Sequence, residues 1–276
     1  MRLNVLGCGV MGRQIASLCA LMGYDVAVAV RQDPDRHVHA LEQQIRQDRK
    51  VLGSRVTRAG TMTVHVAMEA LEPCTTIEAL PEDLDVKCQA LARLPFDVRH
   101  VQLFTNTSSY LPTEVQERAI GLHFFNPVCA LRCVELCAGT SQLTDDGAAL
   151  LQALRQVGFE IVRTASHRGY IGNALLFQEI AHALQLIEQP HYSTQAIDMV
   201  QRHTGRTTSL FDIIDLVGVD VTRRILINLH EHNPAVPVSP LLDVALAEGV
   251  YGRKNRTSIR TVLDRLATVR TAEALA

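Results

Sequence analysis

The sequence contains no tryptophan, and aromatic side chains make up only 4% of its 276 residues. Neither sign of charge predominates, with 27 lysines and arginines against 29 aspartates and glutamates. No basic stripe with interleaved aromatics occurs, so a nucleic-acid partner has no electrostatic support. No apolar run reaches the roughly 18 to 20 residues needed to span a bilayer, so no membrane span is expected. A charged leader before a cleavable apolar segment is also missing, because Met1-Arg2 leads straight into Leu3-Asn4-Val5-Leu6, which reads as a strand of the fold. The seven cysteines are an odd set without a Cys-x-x-Cys pair, which fits reduced thiols in the cytoplasm better than a disulfide framework. Cys129, Cys133 and Cys137 are evenly spaced, but their segment reads as extended and has no histidine pair, so no metal site is expected.

What is present is a hydrophobic content of 47%, enough for a substantial core and most naturally for two domains. The run Leu3 to Leu6 is followed at once by Gly7-Cys8-Gly9-Val10-Met11-Gly12, then by an apolar helical pattern that Gly23 stops. Gly7 would permit a tight turn, Gly9 the close approach of a pyrophosphate, and Gly12 the packing of helix on strand. A second strand, Asp25 to Val30, follows in register, which makes this a dinucleotide site holding NAD or NADP. At the end of that strand an acidic residue commonly holds the ribose hydroxyls. This chain has Val30-Arg31-Gln32-Asp33 instead. Arg31, helped by Arg36, could pair with a 2′-phosphate; the alternative is a solvated Arg31 and an ordinary NAD ribose held by Asp33 or the backbone.

The following stretches alternate between helix and strand. Pro34 to Leu52 reads as an exposed polar helix, and Met62 to Ala67 and Cys74 to Ala79 as strands. Pro81-Glu82-Asp83-Leu84-Asp85-Val86-Lys87 reads as a helix opening, with proline and acids in its first turn. Val101 to Thr105 reads as another strand, running into Asn106-Thr107-Ser108-Ser109, and Ile120 to Phe125 as the next. Such alternation argues for an α/β fold with a doubly wound, mostly parallel sheet, whose ligands bind at the carboxyl ends of the strands. We place this domain at residues 1–165. From about Ser166 strand signals stop, and residues 166–276 read as an all-α domain with helices over Ile171–Ile187, Ala196–His203, Leu210–Leu216, Val221–His230 and Pro240–Glu248. Its aliphatic surface exceeds what one layer needs, so a homodimer through this domain is expected.

His123, at the end of an apolar run, and Glu135, on the next run, are what a proton-transfer site needs. Imidazole takes and returns a proton near neutrality, and a carboxylate behind it fixes the tautomer and stabilises the imidazolium. Taken alone, the segment also fits a partly buried core histidine and a solvated glutamate.

Together these residues carry a family resemblance. The Gly-x-Gly-x-x-Gly start, Asn106-Thr107-Ser108-Ser109, Gly121-Leu122-His123-Phe124-Phe125-Asn126-Pro127 with Glu135, and Gly169-Tyr170-Ile171-Gly172-Asn173 resemble L-3-hydroxyacyl-CoA dehydrogenase. The last segment is similar to that family's Gly-Phe-Ile-x-Asn. Glu78-Ala79, Glu82 and Lys87 match its nucleotide-side segment. The resemblance implies a Rossmann-type sheet domain and His123 as the base that takes the C3 hydroxyl proton while hydride passes to a nicotinamide. It implies that Glu135 orients His123, that Ser108 and Asn173 hydrogen-bond the reacting oxygen or the thioester carbonyl, and that Glu82, Lys87 and Asn106 lie on the cofactor side. Asn173 could otherwise cap its helix.

The chain also departs from that pattern. Its polar segment between the second and third strands is shorter than the one that supplies the family's coenzyme A arm, and Thr207-Thr208-Ser209-Leu210-Phe211 stands where the family has Pro-Met-Gly-Pro-Phe. The expected substrate is therefore an acyl thioester on coenzyme A or on a carrier protein. A non-thioester hydroxy acid, such as a sugar acid, is the alternative enzyme reading, and a catalytically silent dinucleotide-binding protein is the reading from another class.

Overall fold

The computed structural model describes residues 1–139 and 141–275. Two compact units divide the chain, Met1–Tyr170 and Ile171–Ala276. The first contains β1 (Arg2–Leu6), α1 (Val10–Leu21), β2 (Asp25–Ala29), α2 (Pro34–Leu52), β3 (Met62–His65), β4 (Thr75–Glu78) and α3 (Leu84–Ala92). It continues with β5 (Leu103–Thr105), α4 (Pro112–Val115), β6 (Ile120–Phe124), α5 (Val128–Leu131), β7 (Cys133–Cys137), α6 (Asp145–Gln156) and β8 (Glu160–Arg163).

The strands form one eight-stranded sheet in the order β3-β2-β1-β4-β5-β6-β7-β8. Every neighbouring pair is parallel except β6 with β7, which is antiparallel. The α/β architecture expected from the alternation is therefore present. Every residue of β4 and of β6 is buried, as expected for central strands of a sheet covered on both faces. Leu3, Val5, Ile15, Leu18, Val28, Ile77, Phe104, Leu122 and Val134 are all buried in one core cluster. Strand order reverses between β1 and β4, and a crevice at the carboxyl ends of strands at such a point is where α/β sheets bind ligands.

The start of α3 differs from the reading of the sequence. Pro81 and Glu82 precede α3 rather than opening it. Asp83 is the N-cap, and its carboxylate accepts a hydrogen bond from the Val86 amide at 3.2 Å. An aspartate that caps in this way sets the start of the helix and frees Glu82 to face inward.

The second unit contains α7 (Gly172–Ile187), α8 (Thr194–His203), α9 (Leu210–Val217), α10 (Val219–His232), α11 (Leu241–Ala247) and α12 (Ile259–Leu275). Sequence periodicity did not indicate α12, whose apolar positions are diluted by arginine, aspartate and threonine. Its Ile259, Val262, Leu263 and Ala267 are nonetheless buried in the core of this unit, beside Phe177, Leu184, Phe211 and Leu226. Among the described residues no helix is long and apolar enough to cross a membrane.

Candidate active site

The first part of the site is the turn after β1. Gly7 has φ +100°, a region L side chains rarely adopt, and a Cβ there would stand 2.6 Å from the Ala79 carbonyl oxygen. A Cβ on Gly12 would collide with the Gly7 carbonyl, so α1 packs against the turn at backbone distance. A Cβ on Gly9 would meet nothing within 4 Å. The two outer glycines are thus held by protein atoms, while the middle one, at the N-cap of α1, borders open space. Val10 is exposed and Met11 half-buried in the first turn of α1. Backbone amides at a helix N-terminus beside such a space suit a pyrophosphate, and the site residues fit a dinucleotide on this geometry.

Val30 is buried, and its amide donates to the His65 carbonyl at 2.9 Å. Arg31 and Arg36 are exposed, and Asp33 forms the N-cap of α2 with φ 54°. Arg31 therefore stands free of the packed core just past the end of β2.

The second part is the β6–β7 pair. The antiparallel register sets His123 directly opposite Glu135. Directly paired side chains project from the same face of a sheet, so the two meet. His123 Nδ1 lies 2.7 Å from Glu135 Oε2, with the residues 8% and 2% exposed. An ionised carboxylate only accepts, so Nδ1–H is the donor and Nε2 is left as the basic nitrogen. Phe125 and Tyr170 meet the imidazole edge-on, at centroid distances of 4.9 and 5.9 Å. The two residues that sequence pattern paired are thus brought together, buried and hydrogen-bonded.

The third part is the loop after β5. The Asn106 amide donates to the Glu78 carbonyl at 2.8 Å, and its Oδ1 accepts from the Phe124 amide at 2.9 Å. Asn106 therefore ties together the ends of β4 and β6. Ser108 is buried. Glu82 accepts hydrogen bonds from both hydroxyls that flank it, Thr107 Oγ1 and Ser109 Oγ.

Lys87 is turned into the protein. Its side chain is 1% exposed, and its ammonium lies 2.8 Å from Glu78 Oε1 and 3.3 Å from Glu82 Oε2. It also donates to the Leu80 carbonyl at 3.2 Å. Glu78 is fully buried and accepts from the Leu80 amide at 2.6 Å and from Thr105 Oγ1 at 2.5 Å. Burial favours the neutral amine, but the Glu78 and Glu82 carboxylates outweigh it and raise the Lys87 pKa. Burial also pushes the Glu82 carboxyl up, and Lys87 together with the Ser109 and Thr107 hydroxyls more than reverses this and holds it below the usual range. Lys87 and Glu82 thus act here as an internal ion pair beneath the Ser108 loop.

Sequence pattern missed several supporting groups. Gln14 donates to Asn126 Oδ1 at 2.8 Å and accepts from the Val128 amide at 2.8 Å, clamping the turn after β6 to α1. Thr107, Ser109 and Thr105 serve as carboxylate partners, and their only sequence signal is a hydroxyl-rich strand end. Asn173 lies in the second unit, within the first turn of α7; Ile171, not Asn173, holds the capping position. Cys129 is buried in the short helix α5 and not in an extended stretch as its segment reads, whereas Cys133 and Cys137 do lie on the strand β7, each a free thiol.

Residues 2–166 match the family described as 3-hydroxyacyl-CoA dehydrogenase, NAD binding domain, and residues 169–261 match its C-terminal domain. The human mitochondrial hydroxyacyl-coenzyme A dehydrogenase is 31% identical, over 91% of this chain and 88% of its own length. The 3-hydroxybutyryl-CoA dehydrogenase of Mycobacterium tuberculosis is 29% identical, over 92% of this chain and 96% of its own. Among solved structures, M. tuberculosis FadB2 superposes with a TM-score of 0.78 at 28% identity, covering 94% of this chain and 97% of the other. Both halves of the chain match one family in order, and the dinucleotide turn has the geometry that such a match requires. The chain belongs to the 3-hydroxyacyl-CoA dehydrogenase family and is a dehydrogenase that uses a nicotinamide dinucleotide.

Proposed function

We propose that the chain transfers a hydride reversibly between C3 of a 3-hydroxyacyl thioester and NAD or NADP, with His123 as acid and base. The observation that carries this reading is the buried 2.7 Å contact between His123 Nδ1 and Glu135 Oε2. A bound nicotinamide supplies the hydride acceptor. Hydride leaving C3 makes the oxygen a carbonyl only if its proton departs, and His123 Nε2 takes it. In the reverse direction the same nitrogen protonates the developing alkoxide. Glu135 holds the ring in the required tautomer and stabilises the imidazolium. Ser108 hydrogen-bonds the reacting oxygen or the thioester carbonyl, a role the family resemblance also gives to Asn173.

The names of the relatives point to coenzyme A as the acyl carrier. A carrier-protein thioester is a second reading, favoured by α2 running from Pro34 to Leu52 without an added arm and by Thr207-Thr208 in the second unit. The exposed guanidinium of Arg31 supports NADP over NAD. A homodimer through the helical unit is part of this reading, supported by Leu175, Met199 and Val200, which are 67%, 54% and 64% exposed. A cytoplasmic location is supported by seven free cysteines.

Oxidation of NADH or NADPH by acetoacetyl-CoA, followed as loss of nicotinamide absorbance, tests the proposal. Turnover is expected, faster with NADPH. Dinucleotide binding without turnover on this or a carrier-protein thioester would overturn the assigned reaction.

A further inference from the structure

Three consecutive residues, Arg168-Gly169-Tyr170, bind three consecutive carbonyls of the Ser108 loop. The Tyr170 hydroxyl donates to the Thr107 carbonyl at 3.1 Å. The Gly169 amide donates to the Ser108 carbonyl at 2.5 Å, and Arg168 Nη1 to the Ser109 carbonyl at 2.8 Å. From the other side, Glu82 accepts from the Thr107 and Ser109 hydroxyls. Ser108 is therefore gripped by its backbone from one direction and through both neighbours' side chains from the other.

The strap is itself held firmly. Arg168 is 8% exposed, pairs with Glu114 through Nη2, and lies 5.4 Å over the Tyr110 ring. Glu114 in turn accepts from the Leu111 amide at 2.6 Å, so the pair closes on the same loop. Tyr170 has φ 46°, a conformation L side chains rarely adopt, and its surroundings over-determine it. Its ring fills the space above Gly121, where any Cβ would collide with the phenol. Gly121 is two residues before His123 on β6, and the Tyr170 ring meets the His123 ring edge-on at 5.9 Å. Burial pushes the phenol pKa up, so the hydroxyl stays protonated and able to donate.

We propose that Tyr170 is a positioning residue that couples the Ser108 loop to the His123 ring, with Arg168 as the second anchor of the same strap. This rests on the roles assigned above to Ser108 and His123. The family resemblance places a phenylalanine at Tyr170, which could fill the space over Gly121 but could not bond the Thr107 carbonyl. The hydroxyl is thus a feature of this chain, and without it a buried carbonyl loses its donor next to Ser108.

The test is a double-mutant cycle on acetoacetyl-CoA reduction with Tyr170→Phe and Ser108→Ala. Tyr170→Phe is expected to lower kcat about 10-fold, with dinucleotide affinity unchanged, because one buried hydrogen bond next to a reacting group is lost. In the Ser108→Ala background the same change is expected to cost under about 2-fold, since coupled residues share one loss. An unchanged kcat for Tyr170→Phe, or equal losses in both backgrounds, would overturn the proposal. Ser108→Ala alone leaving kcat intact would instead refute the role given to Ser108, and the two failures are read from different variants. Should Tyr170→Phe not fold, Arg168→Lys, which loses the guanidinium fork, is taken through the same cycle with the same expected outcomes.

Discussion

Replacing Lys87 by methionine keeps most of the side-chain volume and removes the ammonium that pairs with both Glu78 and Glu82. With Lys87 and Glu78 1% and 0% exposed, water cannot take over as their counter-charge. Breaking a buried pair by deleting one partner costs about 3–5 kcal/mol. For a chain of this size, about 1 kcal/mol moves the melting temperature by about 2–4 °C, so a fall on the order of 10 °C is expected. The pH dependence sharpens the test. Glu82 is held below the usual carboxylate range, so its contribution in the parent is complete above the unfolded value of about 4.3 and is lost as pH falls through the lower folded value. Lys87 is raised, so its contribution is complete below about 10.4 and is lost as pH rises through the higher folded value. The network therefore contributes in full from about pH 5 to pH 10 in the parent. In Lys87→Met the two carboxylates lose their shared counter-charge, and protonating one relieves the defect. Urea denaturation of parent and variant at pH 8 and pH 5 measures both effects. The deficit is expected to be large at pH 8 and smaller at pH 5. A loss below about 1 kcal/mol, or one equal at both values, would refute the buried-network account.

Two further substitutions address the site itself. Glu135→Gln keeps the shape but removes the charge behind His123, so kcat is expected to fall at least about 10-fold and the acidic limb of the pH–rate profile to move; an unchanged profile would make Glu135 a packing residue. Arg31→Asp places a carboxylate where a 2′-phosphate would lie, so NADPH affinity is expected to fall about 10-fold or more with NADH little changed; equal losses measured by fluorescence titration would remove Arg31 from cofactor choice.

The dinucleotide turn was legible in the sequence because its signal is local. Gly7, Gly9 and Gly12 act within six residues, and strand and helix periods flank them on both sides. The His123–Glu135 pair was legible as two residue types on successive apolar runs. What joined them was the antiparallel return of β7 along β6, a reversal within a mostly parallel sheet that puts the two in direct register. The buried network was not legible. Glu82 and Lys87 look like ordinary charges at a helix start, and only the approach of Thr107 and Ser109, 25 and 27 residues away in sequence, turns them inward. The strap at Arg168-Gly169-Tyr170 is similarly long-range: the motif Gly169 to Asn173 stands out locally, but Tyr170 reaches Thr107 across 63 residues, and nothing local marks that contact. Helix α12 escaped because its buried positions come from tertiary packing rather than from a strong apolar stripe.

The central claim, that His123 moves the proton, is tested most directly by His123→Ala assayed on acetoacetyl-CoA alongside a dinucleotide titration. A kcat lower by about 10²- to 10⁴-fold is expected, with dinucleotide affinity nearly unchanged. A variant that binds the dinucleotide and turns over at the parental rate would contradict it.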